Sequence, residues 1–144
     1  MAEEVAVTVN LTNQKVQFNA VAGSNPVIIC DCKPPVGDGT GYTGLELLLM
    51  SLAACSGTSV VHVLRKMRKS ITGFEVHAKG IRREQHPTSF EKIDLEFTLH
   101  SHDTGDADIQ KAIQLTEETY CPVWAMLKNN VEVTPRYSIV IVGS

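Results

Sequence analysis

Regular alternation of apolar and polar residues predicts a β-hairpin near the start of the chain. VAVTVNL at 5–11 and KVQFNAVA at 15–22 both alternate, and a short polar break separates them. PVIICDC at 26–32 predicts a third short strand. The next segment, 33–44, is so dense in Pro and Gly that we expect it to be irregular.

A long apolar segment in the middle of the chain predicts a helix from Leu45 to about Lys69. Gly57 is the one residue in it that disfavours a helix, and its end, RKMRKS, carries the cations typical of a helix C-terminus. Its first half is apolar on nearly every side, which is typical of a helix that is buried all round. A small monomer has too little material to cover such a helix, so we expect a homodimer.

The rest of the chain mixes strand and helix patterns. The predicted elements are strands 73–84 and 90–100, an amphipathic helix 107–120, a short helix 122–129, and one or two strands in 131–142 broken near Pro135. The order βββ-α-ββ-αα-β predicts an α+β fold with antiparallel sheet. Because neither a repeat nor a linker interrupts it, we expect a single domain, 1–144.

Composition and charge exclude several classes of protein. The chain has 144 residues and a net charge of −3, and its longest basic cluster, RKMRK, is too weak a footprint for nucleic acid. Its start does not resemble a signal peptide, and the apolar run 47–55 is shorter than the roughly 20 residues of a membrane span. We therefore expect a cytoplasmic protein with no nucleic-acid or membrane partner. In the cytoplasm, four cysteines favour catalytic, redox or metal roles over structural disulfides. The alternative is that some of them are simply small buried hydrophobic residues.

Cys55 lies where the apolar helix becomes hydroxylic. Its neighbours one turn away are Ser51, Leu52, Thr58 and Ser59. Hydroxyl donors would help to hold a thiolate, whereas a purely apolar setting makes a thiol inert. His62 lies about 10 Å along the helix axis, which is too far for a direct base. The pattern alone leaves packing and chemistry equally open for Cys55.

Cys121 directly precedes Pro122, which makes it the predicted N-cap of the helix 122–129. A sulfur atom at that position faces free backbone N–H groups and the positive end of the helix dipole. We therefore expect a lowered pKa for the Cys121 thiol. The alternative is a half-buried capping cysteine without a chemical role.

Two further clusters have simple explanations. Cys30 and Cys32 form a C-x-C pair on one strand face, but zinc sites normally need four ligands, so we interpret both as small strand residues. His100, His102 and Asp103 form H-x-H-D at a strand end, which a polar strand exit explains as well as a metal does. We expect a metal at neither cluster.

Together these segments resemble the OsmC/Ohr family, the osmotically inducible protein C and organic hydroperoxide resistance proteins, and within it a YhfA-like branch. The resemblance rests on L-x-A-A-C-S at Cys55, on Y-C-P-V at Cys121, and on the strands and helix between them. It implies an intertwined homodimer in which antiparallel sheets wrap two long central helices. It also implies two active sites at the subunit interface.

The resemblance implies thiol-dependent reduction of organic hydroperoxides, in defence against oxidative stress. Cys55 would be the peroxidatic thiolate that becomes a sulfenic acid, and Cys121 the resolving thiol that forms a disulfide with it. A dithiol reductant, lipoyl-linked or small, would restore both thiols. The family needs no metal or organic cofactor.

Two activating groups of the peroxidatic branch lack a clear counterpart. That branch has an arginine in its N-terminal strands, but here no arginine precedes Arg65, and Lys15 is the only cation in the hairpin. It also has a glutamate ten residues before the cysteine, where this chain has Leu45. Glu46, the candidate for that catalytic role, is one residue further on, which on a helix turns its side chain by about 100°.

Arg82 or Arg83 would be an alternative source of positive charge. However, two successive strand residues point to opposite faces, and a solvated charged edge is the simpler explanation of both arginines. The missing groups leave a second function open. It is a redox-responsive or small-molecule-binding protein of the same fold with little or no peroxidase activity.

Overall fold

The computed structural model describes residues 2–143 and confirms the predicted order of elements. The elements are β1 (Thr8–Leu11), β2 (Phe18–Val21), β3 (Ile28–Cys30), α1 (Gly44–Lys66), β4 (Gly73–Arg82), β5 (Phe90–Ser101), α2 (Asp106–Leu115), a π-helical turn (Thr116–Tyr120), α3 (Pro122–Leu127) and β6 (Glu132–Ile141). The α+β class with a long central helix is therefore confirmed. The chain divides into two compact units, one up to Leu48 and one from Leu49. A single domain over 1–144 stays a prediction.

The first unit contains an antiparallel sheet of β1, β2 and β3, in which Phe18 pairs with both Leu11 and Cys30. The irregular segment that follows is organised by the buried carboxylate of Asp31. This group accepts hydrogen bonds from the Thr40 hydroxyl at 2.7 Å and from the backbone N–H groups of Thr40, Cys32 and Asp38. These bonds, above all that from the Thr40 hydroxyl, lower the pKa of Asp31 to about 2.

A capping box begins α1. The Glu46 N–H donates to the Thr43 hydroxyl at 3.1 Å, and the Thr43 N–H donates to the Glu46 carboxylate at 2.8 Å. One face of α1 is buried, through Leu52, Ser56, Gly57, Val60, Val63 and Leu64. The prediction that α1 is buried all round is wrong for a single chain, since the opposite face is open and Met50 is 44% exposed.

By length and composition α1 would also be able to cross a membrane, as the core helix of a soluble protein would too. The apolar part of α1 is therefore longer than the run 47–55 that was compared with a membrane span. It is the one described helix that meets this test.

The second unit contains the sheet β4-β5-β6, in which one strand pairing departs from the predicted antiparallel sheet. β4 and β5 pair antiparallel as predicted, but β6 runs parallel to β5. A parallel pair needs a long crossover, which α2, the π turn and α3 provide. Pro135 does not break β6, since an edge strand tolerates a missing N–H. Side chains on one face of β5 are fully buried and form the core: Ile93, Leu95, Phe97 and Leu99.

Candidate active site

Cys121 directly follows a widened turn of helix. The predicted helix 107–120 is α-helical only to Leu115, and residues 116–120 form a π turn whose last bond joins the Cys121 N–H to the Thr116 carbonyl at 3.0 Å. Thr116 is fully buried, and its hydroxyl donates to the Ala112 carbonyl at 2.8 Å. Single π turns inside helices often lie at functional sites.

Cys121 is the N-cap of α3, as predicted, although α3 ends at Leu127 and not at residue 129. Its sulfur accepts a hydrogen bond from the Trp124 N–H at 3.4 Å. The side chain is only 2% exposed. The cap therefore holds the sulfur in one position inside the protein.

The pKa of the Cys121 thiol is raised, so the predicted lowering is wrong. Burial is the main cause, and the Cys55 thiol next to it raises the pKa further, against the lowering effect of the Trp124 and Val123 N–H groups. The loss of water around the sulfur outweighs the helix cap. Cys121 is thus a protonated thiol over a wider pH range than a free cysteine.

Cys55 and Cys121 are neighbours in the structure, since the Cys55 thiol lies close enough to raise the pKa of the Cys121 thiol. Cys55 lies at the middle of α1 and is half-buried, whereas Cys121 is buried. Two thiols that are neighbours in the fold are candidates for a disulfide. This geometry suits a redox pair, and the individual catalytic roles stay predictions.

The hydroxyl groups near Cys55 do not serve as predicted. Thr58 donates its hydroxyl to the Ala54 carbonyl at 2.8 Å, and Ser59 donates to the carbonyl of Cys55 itself at 3.3 Å. In a helix, the carbonyl four residues earlier is the nearest acceptor for such a side chain. These two hydroxyls therefore bind backbone and not the Cys55 sulfur.

Glu46 is engaged in the capping box with Thr43. The hydrogen bond from the Thr43 N–H is the main cause of the lowered pKa of this carboxylate. The signal T-x-x-E at 43–46, with Glu three residues after the N-cap, would have identified this role from the sequence. The catalytic role of Glu46 stays a prediction.

The cations considered from the sequence are also engaged. Lys15 pairs with Asp38 at 2.6 Å. Arg82 donates to the Thr88 carbonyl at 2.7 Å, and Arg83 donates to a backbone carbonyl two residues on, both in the connection between β4 and β5. Each of these side chains therefore has a local structural partner.

The prediction that Cys30 and Cys32 are both small strand residues is right for Cys30 and wrong for Cys32, and the expectation of no metal at either cluster stays a prediction. Cys30 ends β3 and is half-buried, while Cys32 is exposed in the following loop. Asp103, in H-x-H-D, accepts from the Ser70 N–H at 2.8 Å and so ties the strand end to the segment after α1. Among residues 2–143, three or more metal-ligating side chains do not cluster anywhere.

An open apolar groove of about 740 Å³ follows the uncovered face of α1. Its lining residues are Met50, Ala53, Ala54, Gly57, Thr58, Val61, His62, Arg65, Phe74 and Val76. The groove is defined by α1 on one side and by β4 on the other.

Comparisons with known proteins agree on one family. The family model for OsmC-like protein matches residues 37–136. Protein YhfA of Escherichia coli K12 is 36% identical over 96 residues, which are 67% of this chain and 72% of that protein. The crystal structure of a hypothetical protein from Aquifex aeolicus VF5 has a TM-score of 0.87 at 27% identity, over 99% of this chain and all of that one. The organic hydroperoxide resistance protein OsmC from Legionella pneumophila shares the fold, with a TM-score of 0.70 at 14% identity, over 96% and 98%.

Proposed function

The chain belongs to the OsmC family, and on that premise we propose that it is a thiol-dependent reductase of organic hydroperoxides. The observation that carries the proposal is that the Cys55 thiol, which is remote along the chain, lies close enough to the Cys121 thiol to raise its pKa. The fold is shared with a protein named for organic hydroperoxide resistance.

The reaction uses the two sulfur atoms in sequence. The Cys55 thiolate attacks the hydroxyl oxygen of the hydroperoxide, and the O–O bond breaks. Cys55 keeps the OH group as a sulfenic acid, and the alkoxide leaves and takes up a proton from the solvent to become the alcohol. Cys121 then attacks the Cys55 sulfur, so that the S–S bond forms and the oxygen leaves as water. A dithiol reductant returns both cysteines to thiols.

Thiol counting with one equivalent of cumene hydroperoxide tests this function. The reduced protein should lose two free thiols and release one equivalent of cumyl alcohol. Cys55→Ser should abolish both changes, and Cys30→Ser, the same substitution at a cysteine outside the pair, should leave them intact. Thiol loss that needs a large excess of peroxide and long times would contradict the proposal.

Specific observations favour a second candidate, a redox-responsive or small-molecule-binding protein. Glu46 serves in a helix cap, Lys15 is paired with Asp38, and the Thr58 hydroxyl is bound to backbone. In such a protein the same disulfide would form slowly and act as a signal. Slow thiol loss that nevertheless joins the two cysteines would favour this candidate.

We further propose that the protein is a homodimer whose second copy covers the groove along α1. The uncovered face carries apolar and small side chains, such as Met50, Ala54 and Val61, beside Phe74 of β4. A helix that is apolar on this face is stable in water when another apolar surface covers it. The same face on a second copy is a self-complementary cover.

A further inference from the structure

Thr116 lies at the start of the π turn and uses its hydroxyl, its N–H and its carbonyl to hold that turn. The residue is fully buried, and its hydroxyl donates to the Ala112 carbonyl at 2.8 Å. Its N–H is shared between the carbonyls of Ala112 and Ile113. Its own carbonyl accepts the Cys121 N–H at 3.0 Å. One buried threonine therefore joins the end of α2 to the backbone of Cys121.

The hydrogen bonds on either side of Thr116 differ in their spacing. The hydroxyl and the N–H of Thr116 both reach back to the carbonyl four residues earlier, which is the spacing of an α-helix. The carbonyl of Thr116 is bonded by Cys121, five residues later. A threonine hydroxyl that bonds back in this way favours a bend in a helix. Thr116 is thus the anchor at which the helix gains one residue.

The added residue decides which side chain lies where the Cys121 sulfur is. Each residue of an α-helix turns the chain by about 100°, so an α-helical turn at this point would rotate the following side chains by that angle. Tyr120, which is now 54% exposed, would come to the place of Cys121, and Cys121 would turn away. A tyrosine is too large for a buried space that holds a cysteine. The π turn therefore keeps the Cys121 sulfur buried beside the Trp124 N–H.

We propose that Thr116 is a positioning residue for Cys121, and that through Cys121 it sets the rate of the disulfide step. The second part rests on the hydroperoxide reductase function proposed above. Without the hydroxyl, the Ala112 carbonyl loses a buried donor, the turn loosens, and the Cys121 sulfur spends less time in its buried position. The attack of Cys121 on the Cys55 sulfenic acid then slows. The formation of that sulfenic acid does not use Cys121, so its rate is unchanged.

Substitutions that separate the hydroxyl group from the shape of the side chain test this role. Thr116→Val removes the hydroxyl at nearly constant shape, and Thr116→Ser retains it. Thr104→Val is the matched control, because Thr104 is also buried and its hydroxyl lies 2.8 Å from that of Ser101.

Two measurements are made on each variant. The first needs no peroxide: the reduced protein is alkylated with iodoacetamide, and the labelling rate of Cys121 is followed by peptide mass spectrometry. The second divides the reaction with cumene hydroperoxide into two rates, one for the sulfenic acid on Cys55, trapped with dimedone, and one for the disulfide.

We expect Thr116→Val to raise the alkylation rate of Cys121 and to lower the rate of disulfide formation, each about fivefold, as for the loss of one typical hydrogen bond. The rate of sulfenic acid formation should change little, and Thr116→Ser should resemble the wild type in all three rates. An unchanged alkylation rate in Thr116→Val would overturn the inference, as would an equal rise in Thr104→Val. Equal slowing of the sulfenic acid and disulfide steps would also overturn it, because it would indicate a general structural effect.

If Thr116→Val fails to fold, as judged by circular dichroism, Thr116→Ser decides. Wild-type rates would support the hydroxyl as the anchor. Faster alkylation of Cys121 with the hydroxyl still present would assign the anchoring to the methyl group and overturn the inference. A wild type that does not react with the peroxide overturns the proposed function, and the alkylation rates then still decide whether Thr116 positions Cys121.

Discussion

At Cys121 two physical effects oppose each other, and the sequence reveals only one of them. The position before Pro122 predicts the helix cap, and the hydrogen bond from the Trp124 N–H confirms it. Burial depends on tertiary packing around α3, which local spacing does not contain. It outweighs the cap and raises the pKa of the thiol. The position of this residue was therefore predictable, but its protonation was not.

Asp31 is the titratable group with the clearest consequence for stability. Its pKa falls from the ordinary 3.8 to about 2 on folding, so its contribution is fully present above pH 3.8 and is lost as the pH falls towards 2. We expect Asp31→Asn to lower the free energy of unfolding at neutral pH. Urea unfolding should show the difference from wild type shrinking over that interval.

The matched control for this prediction is Asp38→Asn, which removes an exposed carboxylate paired with Lys15. We expect it to change stability little, because exposed ion pairs contribute roughly 0–1 kcal/mol. An equal loss of stability in both variants at neutral pH, or a difference for Asp31→Asn that does not depend on pH, would contradict the account of this loop.

Among the secondary-structure elements, those with local signals were predicted and those set by long-range pairing were not. The alternation in β4 and β5 and the apolar run of α1 are properties of contiguous sequence. The parallel pairing of β6 depends on a crossover through two helices, and the π turn depends on how Thr116 packs. Neither has a periodicity by which it would be recognised.

Two substitutions of Glu46, at the N-terminus of α1, distinguish a structural from a catalytic role for this residue. Glu46→Gln keeps a side chain that accepts from the Thr43 N–H, whereas Glu46→Ala does not. If Glu46 only caps the helix, Glu46→Ala should lower the melting temperature while Glu46→Gln resembles wild type in both stability and peroxide turnover. A large loss of turnover in Glu46→Gln with unchanged melting temperature would instead assign the carboxylate to catalysis.

For the whole molecule, the open face of α1 is the feature that a single chain leaves unexplained.

Family membership was predictable from the motifs around the two thiols, and it is confirmed. The homodimer, the dithiol reductant and the cytoplasmic location stay predictions. The structure of a single chain tests none of the three, because each depends on the surroundings of the chain.

Ala54, exposed in the groove, provides a direct test of the dimer. We expect Ala54→Arg to place a charge in the covered apolar face and to shift the protein from dimer to monomer in light scattering after gel filtration. Ala107→Arg, the same change at an exposed position of α2, should leave the dimer intact. A wild-type protein that is monomeric at high concentration would contradict the proposal.

The most direct measurement for the whole account is peptide mapping of the protein after one equivalent of cumene hydroperoxide. We expect one peptide pair, joined through the sulfur atoms of Cys55 and Cys121, which dithiothreitol separates. Oxidation that instead joins Cys30 to Cys32, or that leaves Cys55 and Cys121 as free thiols, would contradict it.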